Sequence, residues 1–157
     1  MRKLFHLLTL ALLLPVVFIS CNDDDDLPDV KIKVDFSGAT LYRDTLFVVQ
    51  GDTMNISSIT VENQESGKSA ALGGATYFWD YICLGNNPFE PYNFTIAISD
   101  QTPIGYHLLQ IVCPVYAEDK SVAEAVIAYP VHVLTPTDSI PTGTTNAVTV
   151  RPDIKHD

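Results

Sequence analysis

From Val30 to Leu134 the chain runs strand after strand, and no stretch of helical periodicity longer than ten residues follows Ile19. Val30, Ile32, Val34 and Phe36 alternate with Lys31, Lys33 and Asp35, the mark of a strand with one face in a core and one in water. Ser37-Gly38 ends that run, and Leu46 to Val49 forms a second, closed by Gly51-Asp52. Met54 and Ile56 share one parity, whereas Ile59 and Val61 sit on the other. A phase slip at Ser57-Ser58 predicts a bulge, since one extra residue reverses the facing of everything after it. Ala75 to Leu84 reads as one strand that is apolar on both sides. Tyr77, Trp79, Tyr81 and Cys83 lie on one face, with Phe78, Ile82 and Leu84 beside Asp80 on the other. Such a strand belongs mid-sheet, covered twice. Phe94 to Ile98, His107 to Cys113 and Val122 to Leu134 complete the set, the last bent or at an edge near Pro130 because proline donates nothing to a ladder. About seven short strands, spaced by turns rich in Gly, Asn and Pro, predict an all-β sandwich of two sheets, with a closed barrel as its rival.

The first residues belong to a different problem. Arg2 and Lys3 precede a mostly apolar run, Leu4 to Ile19, closed by Ser20-Cys21. That order is a secretory signal, and the run is too short and too interrupted by His6, Thr9 and Pro15 for a membrane span. Phe18-Ile19-Ser20-Cys21 resembles the bacterial lipobox, although Phe18 replaces the usual leucine. The resemblance implies a lipid on Cys21 and a mature chain that starts there. Asp23, Asp24, Asp25 and Asp26 follow. This run resembles the export tag of surface lipoproteins in Bacteroidetes-type bacteria, which implies the outer face of the outer membrane. Read without the resemblance, it is a solvated, self-repelling tether.

The expected organisation is a signal peptide over 1–20, an acidic tether over 21–28, a sandwich domain over 29–135 and a Pro/Thr-rich tail over 136–157. The tail is expected to be largely irregular, with Ala147 to Val150 as a short strand. Loss of Arg2 and Lys3 with the leader takes the formal charge from −10 to −12. Such a chain repels nucleic acid and anionic headgroups, so attachment to the membrane would rest on acyl chains.

Gly51-Asp52-Thr53, Tyr77-Phe78-Trp79-Asp80, Pro103-Ile104-Gly105-Tyr106-His107-Leu108-Leu109 and Pro130-Val131-His132-Val133 carry a further resemblance. Together, the stretch from Gly51 to Leu134 resembles immunoglobulin-like domains of Bacteroidetes surface lipoproteins. The likeness implies that these segments fall on the second, third, sixth and seventh strands. It brings no catalytic residues with it. The inter-sheet disulfide of antibody domains would need a cysteine near Met54 to Val61, and none is there.

Individual residues offer little chemistry. Cys83 and Cys113 share a parity on strands expected to be neighbours, which leaves open a disulfide worth roughly 3–4 kcal/mol or two buried thiols. Bridging adjacent strands is geometrically demanding, which favours the thiols. His107, after a turn glycine, is expected to hydrogen-bond a corner loop, and Asp80 to serve a strand end. Trp79 is expected in the core. Phe89, Tyr92, Tyr116 and Tyr42 lie in or near loops, where aromatics can stack on sugars or on a protein. The chain has no GxSxG, HExxH, CxxC or phosphate-loop pattern. The expectation is therefore a non-catalytic binding or adhesion module without metal or cofactor, displayed to glycan or another surface protein. The alternative is a structural subunit of a surface assembly such as a fimbria, with the segment around Val148 and Val150 as donor strand.

Overall fold

The computed structural model describes residues 26–156. The leader, Cys21 and Asp23 to Asp25 lie outside the described residues. Twelve strands follow in order: β1 Val30–Ser37, β2 Thr40–Tyr42, β3 Thr45–Val49, β4 Thr53–Asn63, β5 Ala70–Leu72, β6 Ala75–Trp79, β7 Ile82–Asn87, β8 Phe94–Ala97, β9 Gly105–Ala117, β10 Ala123–Leu134, β11 Ala147–Val150 and β12 Asp153–His156. They form a four-stranded sheet, β11-β1-β4-β8, and an eight-stranded one, β2-β3-β10-β9-β6-β7, in which β12 also pairs with β10 and β5 with β9. The fold is all-β, a two-sheet sandwich of the immunoglobulin-like class.

The antiparallel pair β9–β10 is the spine of the larger sheet, in register from Ala123↔Val115 to Val133↔Gly105. Leu109, Ile111, Cys113 and Val115 of β9 are buried, as are Ala123, Ala125, Ile127, Val131 and Val133 of β10. They face Ile32, Val34, Phe36, Met54, Ile56 and Ile59 of the smaller sheet, all buried in the same core. The bulge expected at Ser57-Ser58 is present. Asp35 pairs with Ser58 and Phe36 with Ile56, so Ser57 is the extra residue, and its hydroxyl bonds the Asp35 carbonyl at 3.1 Å. Met54 and Ile56 before the bulge and Ile59 after it thereby point the same way. Gly38 permits the tight approach of β1's end to β4: its φ is +76°, and a Cβ there would lie 2.0 Å from the Thr53 carbonyl oxygen.

Three expectations are corrected. The stretch Ala75 to Leu84 is a hairpin and not one strand, because Asp80 and Tyr81 take φ of 48° and 67° and turn β6 into β7. Those signs at two central residues are the type I′ turn, whose twist suits a hairpin. Trp79, at the end of β6, is only partly buried; Tyr77 is the fully buried aromatic of that strand. The segment 136–157 is not an irregular tail. β11 adds to β1 with Val34 opposite Val148, and β12 adds to β10 with Ala125 opposite Ile154, so the segment extends both sheets. Thr144 and Leu41 exchange backbone hydrogen bonds of 2.7 and 2.9 Å. Gly143 allows that contact, since a Cβ on it would meet the Leu41 oxygen at 2.2 Å. The candidate donor strand is thus paired within its own chain.

Tyr77 ties the sandwich together. Its ring stacks on Phe94 at 4.3 Å, and its hydroxyl donates to the Tyr92 carbonyl. Tyr92, itself buried, donates its hydroxyl to the Leu72 carbonyl at 2.8 Å. Tyr77→Phe should therefore cost about 1–3 kcal/mol, the penalty of a buried carbonyl left without its donor. Tyr77→Ala should cost about 3–5 kcal/mol, and Trp79→Ala clearly less than that. Urea unfolding of the three variants checks the order; a Trp79→Ala loss equal to that of Tyr77→Ala would contradict it.

Candidate functional site at the pole opposite the tether

The sandwich has two unlike ends. Asp26, the last residue of the acidic run, accepts a backbone bond from Ser121 in the β9–β10 turn, and its carboxylate accepts the Ser121 hydroxyl. At this end Glu65 pairs with Lys68 at 2.7 Å and with Lys120 at 2.9 Å. β9 runs from here to the opposite end over 13 residues, a length of about 40 Å at the usual strand rise. The far pole carries the β6–β7 turn and the start of β9. Tyr81 is 77% exposed and Tyr106 74%, with Ile82 and Ile104 also open to solvent.

Beneath these residues a polar clasp fixes the turn. The Asp80 backbone N–H donates to the Leu108 carbonyl at 2.9 Å, and the Leu108 N–H donates to Asp80 Oδ1 at 2.9 Å. His107 Nδ1 lies 2.6 Å from Asp80 Oδ2, and Nε2 lies 2.8 Å from the Pro103 carbonyl. Both acceptors call for a proton on the nitrogen facing them, so the ring is best satisfied as an imidazolium. Trp79 Nε1 is 3.2 Å from the same Nδ1. A nitrogen that donates to Asp80 cannot also accept from an indole, and the shorter charge-assisted contact prevails. The indole instead lies beside the imidazole, ring centres 5.2 Å apart. The His107 side chain is 8% exposed. Burial alone would depress its pKa, but the Asp80 carboxylate and the Pro103 carbonyl outweigh that and raise it. Asp80 mirrors this: burial pushes it up, and the bonds from His107 and Leu108 bring it below its ordinary value. Both residues thus join strand end to corner loop, as expected from the sequence. They position the pole.

The other expected site residues are scattered. Cys83 and Cys113 are both free, Cys83 exposed on β7 and Cys113 buried on β9. Strand β6 lies between them, so they are not on neighbouring strands and form no bridge. Burial pushes the Cys113 thiol up to about 12, which keeps it protonated and inert. Tyr92 is in the core and not in an accessible loop; Phe89 is exposed at the tether end, and Tyr116 is half exposed on β9. Tyr81 and Tyr106 are the exposed aromatics that the sequence reading missed. The one signal for Tyr81 was Asp80 beside it, an aspartate within an otherwise apolar run and a residue that tolerates the left-handed region. Among the described residues no three His, Cys, Asp or Glu side chains gather as a metal-binding group.

No protein-family model matches the chain, and no curated protein does. Among solved structures the chain is similar to the fibronectin(III)-like modules of Clostridium thermocellum CbhA, at 13% identity and a TM-score of 0.39, over 62% of this chain and 94% of that one. The two-sheet assignment rests on the strand ladders themselves.

The clasp gives the domain a pH signature. His107, with a raised pKa, contributes stability that is complete below its unfolded value of about 6.5 and is lost as pH rises through its folded value. Asp80, with a lowered pKa, contributes above its unfolded value of about 4 and loses that contribution as pH falls through its folded value. The melting-temperature gap between wild type and His107→Asn should be widest between about pH 4 and 6.5 and should narrow on the alkaline side. A gap that does not narrow as pH rises above about 6.5 would contradict an imidazolium at this position.

Proposed function

We propose that this protein is a lipid-anchored, surface-exposed lipoprotein of the outer membrane that holds a non-catalytic binding module away from the bilayer. A two-sheet sandwich of the immunoglobulin-like class is compatible with a binding or structural module and supplies no reaction by itself. The observation that carries the binding reading is the contrast between the two ends. The tether leaves from the charged end, while exposed Tyr81, Ile82, Ile104 and Tyr106 occupy the end about 40 Å away. Aromatic rings on a rigid turn give contact area at little entropic cost, which suits a glycan or the surface of another protein. The anchor itself rests on the order of residues 2–21 and the aspartates that follow. The acidic chain makes nucleic acid an unfavourable partner.

Two measurements test this reading. Labelling with a radioactive fatty acid should mark the wild type and not Cys21→Ser, and protease treatment of intact cells should cleave the wild type but spare a variant with Asp23 to Asp26 all changed to Ala. Binding to a panel of immobilised polysaccharides and purified surface proteins should fall at least about tenfold, the loss expected of a single hot-spot aromatic, in Tyr81→Ala/Tyr106→Ala. Phe89→Ala, at the tether end, should bind as the wild type does. Equal labelling of Cys21→Ser removes the anchor, and equal binding by the double variant removes the pole.

A further inference from the structure

The two sheets present opposite chemistry to their surroundings. Outward-facing residues on β1 and β4 pair as Lys31↔Glu62, Lys33↔Thr60 and Asp35↔Ser58, an ordinary wet surface. On the larger sheet the residues of β9 that alternate with the buried ones are Leu108, Gln110, Val112 and Pro114. Gln110 lies between Ala128 of β10 and Phe78 of β6, and Val112 lies opposite Val126. Phe78 in turn faces Cys83 on β7. Across the middle of this face there is no charged side chain. Charge begins at its margin, where Glu124 sits opposite Lys155 and Val126 opposite Asp153. Among the described residues, the strand expected to be covered twice, β6, is covered on one side only.

We infer that a second copy of this chain packs on that face, forming a two-fold dimer of eight-stranded sheets around Gln110. Charge favours this occupant. A chain of formal charge −10 repels its copy almost everywhere, and an uncharged centre with charge confined to the margin is the surface on which two copies meet at least cost. Area is sufficient. Five strands, β3, β10, β9, β6 and β7, about 4.8 Å apart and averaging roughly eight residues of about 3.3 Å each, cover about 600 Å² per copy. Two such faces bury about 1,200 Å², the lower bound of a stable, specific interface. Orientation agrees as well. The face runs along the axis from the Asp26 end to the far pole, so two copies related by a two-fold parallel to that axis send both tethers the same way. Aligned sheets pack in this manner in sandwiches generally. The dimer is independent of what the far pole binds.

Sedimentation equilibrium of the full-length protein, in density-matched detergent, decides the matter. The wild type should be a dimer at about 100 µM. Gln110→Glu places two like charges at the centre, and Val112→Glu does so one pair along. Each should weaken the dimer at least about tenfold, with the circular dichroism of the wild type retained. Thr60→Glu, on the opposite sheet, should leave it unchanged. A wild type that stays monomeric at that concentration overturns the dimer and hands the face to a different partner. A dimer that survives folded Gln110→Glu, or that dissolves equally in Thr60→Glu, also overturns it.

Discussion

Everything in this molecule is referenced to the parity of β9. Leu109, Ile111, Cys113 and Val115 are each buried without residual exposure, and β9 is bonded to β10 along one edge and to β6 and β5 along the other. Because side chains alternate strictly, a slip of one residue would drive all four into water and bring Gln110 and Pro114 into the core. Exposing those four side chains costs about 6–12 kcal/mol, comparable with the 5–15 kcal/mol that holds a domain together. That lock decides which way His107 points, since it continues the buried parity beyond Leu109 and so reaches Asp80 and Pro103. It equally decides that Leu108, Gln110 and Val112 face outward.

How much of this is readable in the residues depends on whether the signal is local. The bulge at Ser57 is readable because apolar residues on both sides of it betray the change of phase. The strand Val30–Ser37 is readable for the same reason, and so is the corner role of His107. The β6–β7 turn is not. Type I′ turns ordinarily advertise themselves by Asn-Gly or Asp-Gly, and here a tyrosine accepts the positive φ. Without a glycine, two short strands read as one long strand, which moved Cys83 onto the wrong strand and Tyr81 into the core. The burial of Tyr77 in preference to Trp79 is a matter of position along β6: Tyr77 sits over Phe94, while Trp79 has reached the strand's end. Of the closing strands, β11 coincides with the short strand expected over Ala147 to Val150, whereas β12 is hidden by composition, since it is only four residues long and follows directly on Pro152.

Those closing strands bear on how the molecule can associate. An unpaired edge is the usual route by which sheets join. β11 occupies the outer edge of β1, and β12 and β3 between them flank β10 on the side away from β9. At the other end of the larger sheet β7 is an edge, but its pairing with β6 shifts between Tyr77 and Phe78, leaving Leu84 as an extra residue. A bulge bends and twists an edge strand and breaks the regular spacing of its free N–H and C=O groups, so a partner strand cannot extend the ladder along it. With β11 on the outer edge of β1 and β7 distorted, the other terminal strands of the two sheets are β8 and β2, of four and three residues, and short edge strands offer little length to a partner. The dimer proposed around Gln110 would accordingly use side chains on a flat face and not backbone pairing at an edge.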